Sequence, residues 1–178
     1  MNDALIPVRY ATALYGTGQS GHVLPQLYDD LRAIDGICRT EPRFMEVLTS
    51  PTVRRETKKA LMDTMFNGKA SPVTLRFLHT LILRNRQAWL PDIARDFCDL
   101  YRQKQHIRSA VLTTATDVPA ERKEQIRQLL RERYQAEIEL ATEIDPDIIG
   151  GFILNLDGDL YDASIEKALD HLQKELMQ

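Results

Sequence analysis

Apolar residues in the first hundred positions recur at intervals of three and four, the spacing that lines one face of an α-helix. The clearest run is Leu24, Leu27, Leu31, Ile34 and Cys38, which predicts an amphipathic helix from His22 to about Arg39. Before it, Pro7 suits a first helical turn, Val8, Ala11, Leu14 and Tyr15 follow on one face, and Gly16, Gly18 and Gly21 are expected to stop the helix. Pro42 opens a short helix with Phe44, Val47 and Leu48, which Ser50-Pro51 breaks because a residue before proline avoids the helical region. A fourth helix, from about Val53 to Phe66, carries Ala60, Leu61 and Met65 and ends at Asn67-Gly68. Ser71-Pro72 is an N-cap followed by proline at the first helical position, and it opens the apolar stretch 73–83. There Leu75, Leu78, Leu81 and Ile82 form one face, while Phe77 and Leu83 sit off it. A helix apolar over so much of its circumference is expected at the centre of a bundle, or covering a core on one side and a partner on the other. A sixth helix, from about Leu90 to Gln105, sets Ile93, Phe97, Leu100 and Tyr101 on one side.

Near residue 106 the period changes from 3.6 to 2. Arg108 to Ala115 is rich in β-formers, a charged helix follows Pro119 to about Gln135, and Glu137 to Ile144 alternates glutamates with Ile138, Leu140 and Ile144. A further strand is expected from Ile148 to Leu156, in which Gly150 and Gly151 mark a bulge or a close backbone approach. Asp157-Gly158 is a hairpin turn, and Asp162 or Ser164 can cap a final helix with Ile165, Leu169, Leu172 and Leu176 on one stripe. The pattern therefore predicts an α+β protein, with an N-terminal six-helix bundle over residues 1–105 and a small C-terminal α/β module over residues 106–178.

Composition adds mainly exclusions. With 43% hydrophobic and 28% charged residues the chain resembles an average globular protein, and no apolar run approaches the length of a membrane span. The N-terminus lacks the pattern of a secretion signal, so a cytoplasmic location is expected. The net charge of -3 hides an asymmetry: residues 1–105 hold 15 basic and 11 acidic residues, whereas residues 106–178 hold 8 and 15. Two modules facing different partners would explain the split, as would an uneven solvated surface.

Candidate chemistry is sparse. Cys38 and Cys98 read as core residues, and the histidines at 22, 79, 106 and 171 share no metal-ligand spacing, so neither metal nor cofactor is expected. No nucleophile signature or phosphate-binding glycine loop occurs, and no catalytic residue is assigned. The basic clusters Arg54, Arg55, Lys58, Lys59 and Arg84-Asn85-Arg86 read as solvated faces, because no aromatic residues interleave with them as nucleic-acid binding would favour. Two apolar-faced modules without catalytic groups suggest an adaptor or a subunit of a larger assembly.

Several segments, in order, resemble the δ subunit of bacterial F-type ATP synthase, the family that includes the mitochondrial oligomycin-sensitivity-conferring protein. They are Arg9-Tyr10-Ala11-x-Ala13-Leu14-Tyr15, Phe44-x-x-x-Leu48-x-Ser50-Pro51 with Lys58, and Phe77-Leu78-x-x-Leu81-x-x-x-Asn85-Arg86. Toward the C-terminus, Ile138-x-Leu140, Ile144-Asp145, Ile148-x-Gly150-Gly151-Phe152 and Asp162-x-Ser164-Ile165 complete the likeness. The resemblance implies a non-catalytic stator subunit that joins the catalytic head to the peripheral stalk. Its helical domain would bind the N-terminal segment of the α subunit, and its C-terminal domain the C-terminal ends of the b subunits. Tyr10, Ala13, Leu14, Leu78 and Leu81 are the candidate walls of the α-segment groove, although they also suit an ordinary bundle core. Leu169, Leu172 and Leu176 are candidates for the b contact, and Gly150, Gly151, Asp162 and Ser164 are a structural signature. Membrane association would be indirect, on the cytoplasmic face of the cell membrane. The competing reading is a stand-alone helical adaptor or a nucleic-acid-binding regulator.

Overall fold

The computed structural model describes residues 5–165 and Lys167. Among them the fold is α+β, with seven α-helices and a four-stranded mixed sheet. The chain divides into two compact units, Met1–Tyr101 and Arg102–Gln178. The division falls inside a helix, four residues before the period change that the sequence suggested as the boundary.

The first unit is built from α1 (Leu5–Ser20), α2 (Leu24–Thr40), α3 (Pro42–Thr49), α4 (Arg55–Phe66), α5 (Pro72–Leu83) and most of α6 (Leu90–Gln105). Its core draws on each of these helices, with Leu27, Leu31, Ile34, Leu48, Leu78, Leu90, Ile93 and Phe97 fully buried. Aromatic pairs tie distant helices together: Tyr28 stacks on Tyr101 with centroids 4.3 Å apart, and Phe44 meets Phe66 edge to face at 6.3 Å.

Two expectations for this unit change. The first helix does not stop at Gly16 but runs through Gly18 to Ser20. A Cβ at Gly18 would stand 2.6 Å from Leu27 Cδ1 and 2.9 Å from Leu24 Cδ2, so this glycine lets α1 approach α2 rather than ending the helix. On α4 the buried face is Lys58, Met62 and Phe66, whereas Ala60 is exposed. Lys58 is therefore not part of a solvated basic face. Its side chain is buried, and Nζ donates to the Ser50 carbonyl at 2.7 Å, one of the acceptors left without a helical partner at the end of α3.

Both ends of α5 are fixed by named bonds. At the start, Ser71 Oγ accepts from the Thr74 N–H at 3.1 Å, and Asp30 Oδ2 on α2 accepts from the Ser71 N–H at 2.8 Å and the Thr74 hydroxyl at 2.6 Å. At the finish, Asn85 takes a left-handed φ of 52°, its N–H bonds to Ile82 O at 3.1 Å, and the Arg86 N–H bonds to Leu81 O at 2.8 Å. This is the paired bonding of a Schellman motif, with asparagine at the left-handed position.

In the second unit, β1 (Ile107–Thr114) pairs in parallel with β2 (Glu137–Ile144) through the crossover helix α7 (Ala120–Tyr134). β3 (Phe152–Leu156) and β4 (Asp159–Asp162) add antiparallel, giving the order β2-β1-β3-β4. The alternation along each strand puts Ala110, Leu112, Ile138, Leu154 and Leu156 into one small core under Leu130 of α7. Asp157 and Gly158 adopt φ values of 52° and 101° in the hairpin turn, and the Asp157 carboxylate accepts from Arg108 Nε at 2.7 Å and from the Ser109 N–H at 2.9 Å. The third strand is shorter than the sequence suggested. It begins at Phe152, because Gly150 and Gly151 form a bend whose carbonyl and φ serve a different purpose, described below.

Candidate functional site

One concavity of the first unit is a groove of about 390 Å³ between α1 and α5. Tyr10, Ala13, Leu14 and Thr17 form one wall, and Val73, Arg76, Phe77 and Thr80 form the other. Each wall is an i, i+3, i+4, i+7 set, so each helix turns one whole face to the opening. Tyr10 and Phe77 meet across it edge to face with centroids 6.3 Å apart, and the Arg86 guanidinium lies 5.6 Å from the centre of the Tyr10 ring at the rim.

The structure brings Tyr10, Ala13 and Leu14 together on this wall. Leu78 and Leu81, expected beside them, do not line it: at 0% and 1% exposure they belong to the interior. The groove wall of α5 is the neighbouring face, led by Phe77, which the sequence placed off the helix stripe. Helical spacing could have found it, since Val73, Phe77 and Thr80 form a second apolar-leaning face once the first is assigned to the core.

The signature residues of the second unit act as architecture. Gly151 has φ 83°, and a Cβ there would fall 2.2 Å from the Ala163 carbonyl oxygen. At Gly150 a Cβ would meet Ile165 Cδ1 at 2.6 Å, while the Gly150 carbonyl accepts from the Ile165 N–H at 3.0 Å. The paired glycines thus let the chain entering β3 touch the chain leaving β4. Ser164 is the helix cap, its Oγ accepting from the Lys167 N–H at 3.3 Å, whereas Asp162 closes the preceding turn by accepting from the Ser164 N–H at 2.9 Å. That backbone hydrogen bond, aided by the Ser164 hydroxyl and by Lys167, holds the Asp162 carboxyl below the usual aspartate range. Leu169, Leu172 and Leu176 lie outside the described residues.

Among the described residues, no three His, Cys, Asp or Glu side chains are placed to hold a metal ion. Cys98 is buried, and burial together with Asp35 pushes the Cys38 thiol up to about 11, away from the range of a reactive thiolate. His79 Nε2 pairs with Asp63 Oδ1 at 2.9 Å, linking α5 to α4. Nor is any helix among the described residues long and apolar enough to cross a membrane.

Comparison with known proteins agrees with this picture. The family model for the ATP synthase delta (OSCP) subunit matches residues 6–176. ATP synthase subunit delta of Bacteroides thetaiotaomicron is 35% identical over 180 residues, covering 99% of this chain and 96% of that protein. The subunit delta of Protochlamydia amoebophila is 30% identical over 172 residues, covering 97% and 95%. In fold, the chain is similar to one in the cryo-EM structure of the Toxoplasma gondii mitochondrial ATP synthase hexamer, with a TM-score of 0.73, 22% identity, and 97% and 98% of the two chains covered. An α+β chain with an open helical groove, matched over nearly its whole length, belongs to the ATP synthase delta (OSCP) subunit family, the non-catalytic stator subunit of the F-type enzyme.

Proposed function

We propose that the groove between α1 and α5 receives the N-terminal segment of the ATP synthase α subunit as an amphipathic helix, and that the second unit holds the C-terminal ends of the b subunits. The six helices of the first unit then act as a bundle docked on the catalytic head, while the second unit meets the peripheral stalk at the cytoplasmic face of the membrane. So joined, the head resists turning with the rotor, and rotor torque goes into ATP synthesis.

The observation that carries this reading is the matched i, i+3, i+4, i+7 periodicity of the two walls. Two helices with a cleft between them accept a third, whose own apolar stripe fills the space between their ridges. Tyr10 is the central anchor, half-buried and already braced by Phe77, so little side-chain freedom is lost on binding. Resisting torque demands slow dissociation, which well-packed aromatic anchors supply. For the second unit, support comes from large apolar side chains left exposed around the sheet, Ile149, Phe152 and Leu160 among them.

Titration of the full chain with a peptide of the α-subunit N-terminal segment tests the groove. Tyr10→Asp is expected to weaken binding by more than about 2 kcal/mol while the circular dichroism spectrum stays folded. Unchanged affinity in a folded Tyr10→Asp protein would remove the groove from the interface.

A further inference from the structure

The groove has a charge pattern that its apolar walls do not explain. Arg76 is the single charged residue among its lining, and no carboxylate lines it. Arg76 Nε donates to the Pro72 carbonyl of its own helix at 3.3 Å, and among the described residues it forms no ion pair. The Arg86 guanidinium carbon lies over the Tyr10 ring, 5.6 Å from its centre, and Arg86 too forms no side-chain hydrogen bond or ion pair among those residues. A contact between a cation and a ring face leaves the N–H donors of the guanidinium available to hydrogen-bond an acceptor. The Schellman turn at Asn85 places Arg86 there: the left-handed residue folds the chain back so that the Arg86 N–H reaches Leu81 O, and the side chain returns toward α1 instead of continuing away from α5.

Resting on the proposed groove, we infer that its partner helix carries a carboxylate beside its apolar stripe, and that Arg86 and Arg76 are the residues that recognise it. The apolar walls supply burial, which any amphipathic helix could use. The two guanidiniums supply discrimination, because they reward a helix with an acidic flank and leave a basic one facing unshielded like charge. The occupant is thus an acidic amphipathic helix, set in register by a charged contact at the Tyr10 end. The reading also gives a purpose to the Arg84-Asn85-Arg86 cluster, in which asparagine makes the turn and Arg86 uses it.

The test is isothermal titration of the full chain with the α-subunit N-terminal peptide and with versions in which each carboxylate is changed in turn to lysine. Arg86→Gln is expected to weaken binding about fivefold at low salt, the range of an exposed charge pair, with the difference fading as salt rises. Arg86→Lys should keep the salt dependence, and Arg86→Glu should recover affinity with one of the lysine-bearing peptides. The inference is overturned if Arg86→Gln and Arg76→Gln bind the parent peptide with unchanged affinity and salt dependence while Phe77→Ala weakens it; the groove reading then survives alone. If Phe77→Ala also binds as the parent does in a folded protein, the groove reading falls and this inference falls with it. An α-subunit segment with no carboxylate flanking its apolar stripe would overturn it outright.

Discussion

Gly150 and Gly151 are neighbours with different reasons to lack a side chain. At Gly151 the φ is left-handed and the obstructing atom is a backbone carbonyl oxygen, so neither the strain nor the clash can relax locally. At Gly150 the obstructing atom is the end of the Ile165 side chain, itself half-exposed and able to change rotamer. Gly151→Ala is therefore expected to destabilise the second unit by more than about 2 kcal/mol. Gly150→Ala should cost about 1 kcal/mol or less, the price of an altered rotamer. Urea unfolding followed by circular dichroism gives both numbers, and the fluorescence of Trp89, the only tryptophan, serves as a control from the first unit. Equal losses for the two variants would contradict this assignment. Lys58 teaches the same lesson about context. It sits in a segment with Arg54, Arg55, Glu56 and Lys59, yet its ammonium turns inward to an orphan carbonyl that no local pattern reveals.

Among the elements, α5 depends on a contact that reaches it from another helix of the first unit. Asp30 of α2 accepts two hydrogen bonds from the cap of α5, from a backbone N–H and from a buried hydroxyl. Ser71→Ala removes the cap itself and should cost about 1 kcal/mol. Asp30→Ala leaves the Ser71 N–H without its acceptor and the Thr74 hydroxyl with only Ser71 Oγ, 2.9 Å away, and should cost more, about 2 kcal/mol. Thermal or urea unfolding ranks the pair, and a smaller loss for Asp30→Ala would show that water replaces the carboxylate. The cap was legible in the sequence as Ser71-Pro72, since capping is local chemistry. Its brace was not, because Asp30 lies 41 residues away. The same divide separates the other elements. The buried stripe of α2 could be read directly, and so could the alternation of β2 at Ile138 and Leu140, as each follows one period; Ile144, expected on the same half-buried face, is 57% exposed at the end of the strand. The face of α4, the length of α1 and the start of β3 could not, because each is set by what a neighbouring element presses against it. In the groove, the α1 wall was readable and the α5 wall was displaced by one face, since a helix with two apolar faces does not announce which one the core will take.

At the scale of the molecule, the two compact units differ in charge as well as in fold. The span 1–105 carries an excess of four basic residues and the span 106–178 an excess of seven acidic ones. In the first span two of those cations stand unpaired at the groove, so part of the excess is assigned a task. In the second span three of the fifteen acids lie on β2, which among the described strands is an edge of the sheet, eight residues long and without proline. Such a strand offers its unpaired N–H and C=O groups to any other extended chain, including another copy of itself. Glu137, Glu139 and Glu143 line one of its faces; Glu137 pairs with Arg131 and Glu139 with Arg102, while Glu143 forms no ion pair among the described residues, so a strand laid against this edge meets at least one carboxylate without a counter-charge. Replacing Glu143 by threonine, a good strand former without charge, is expected to make the purified protein associate with itself as its concentration rises, visible in sedimentation velocity. On that expectation the charge on this one strand has a use that involves no partner at all: it keeps the strand solitary, so that copies of the subunit waiting for a place in an assembly do not zip into one another first.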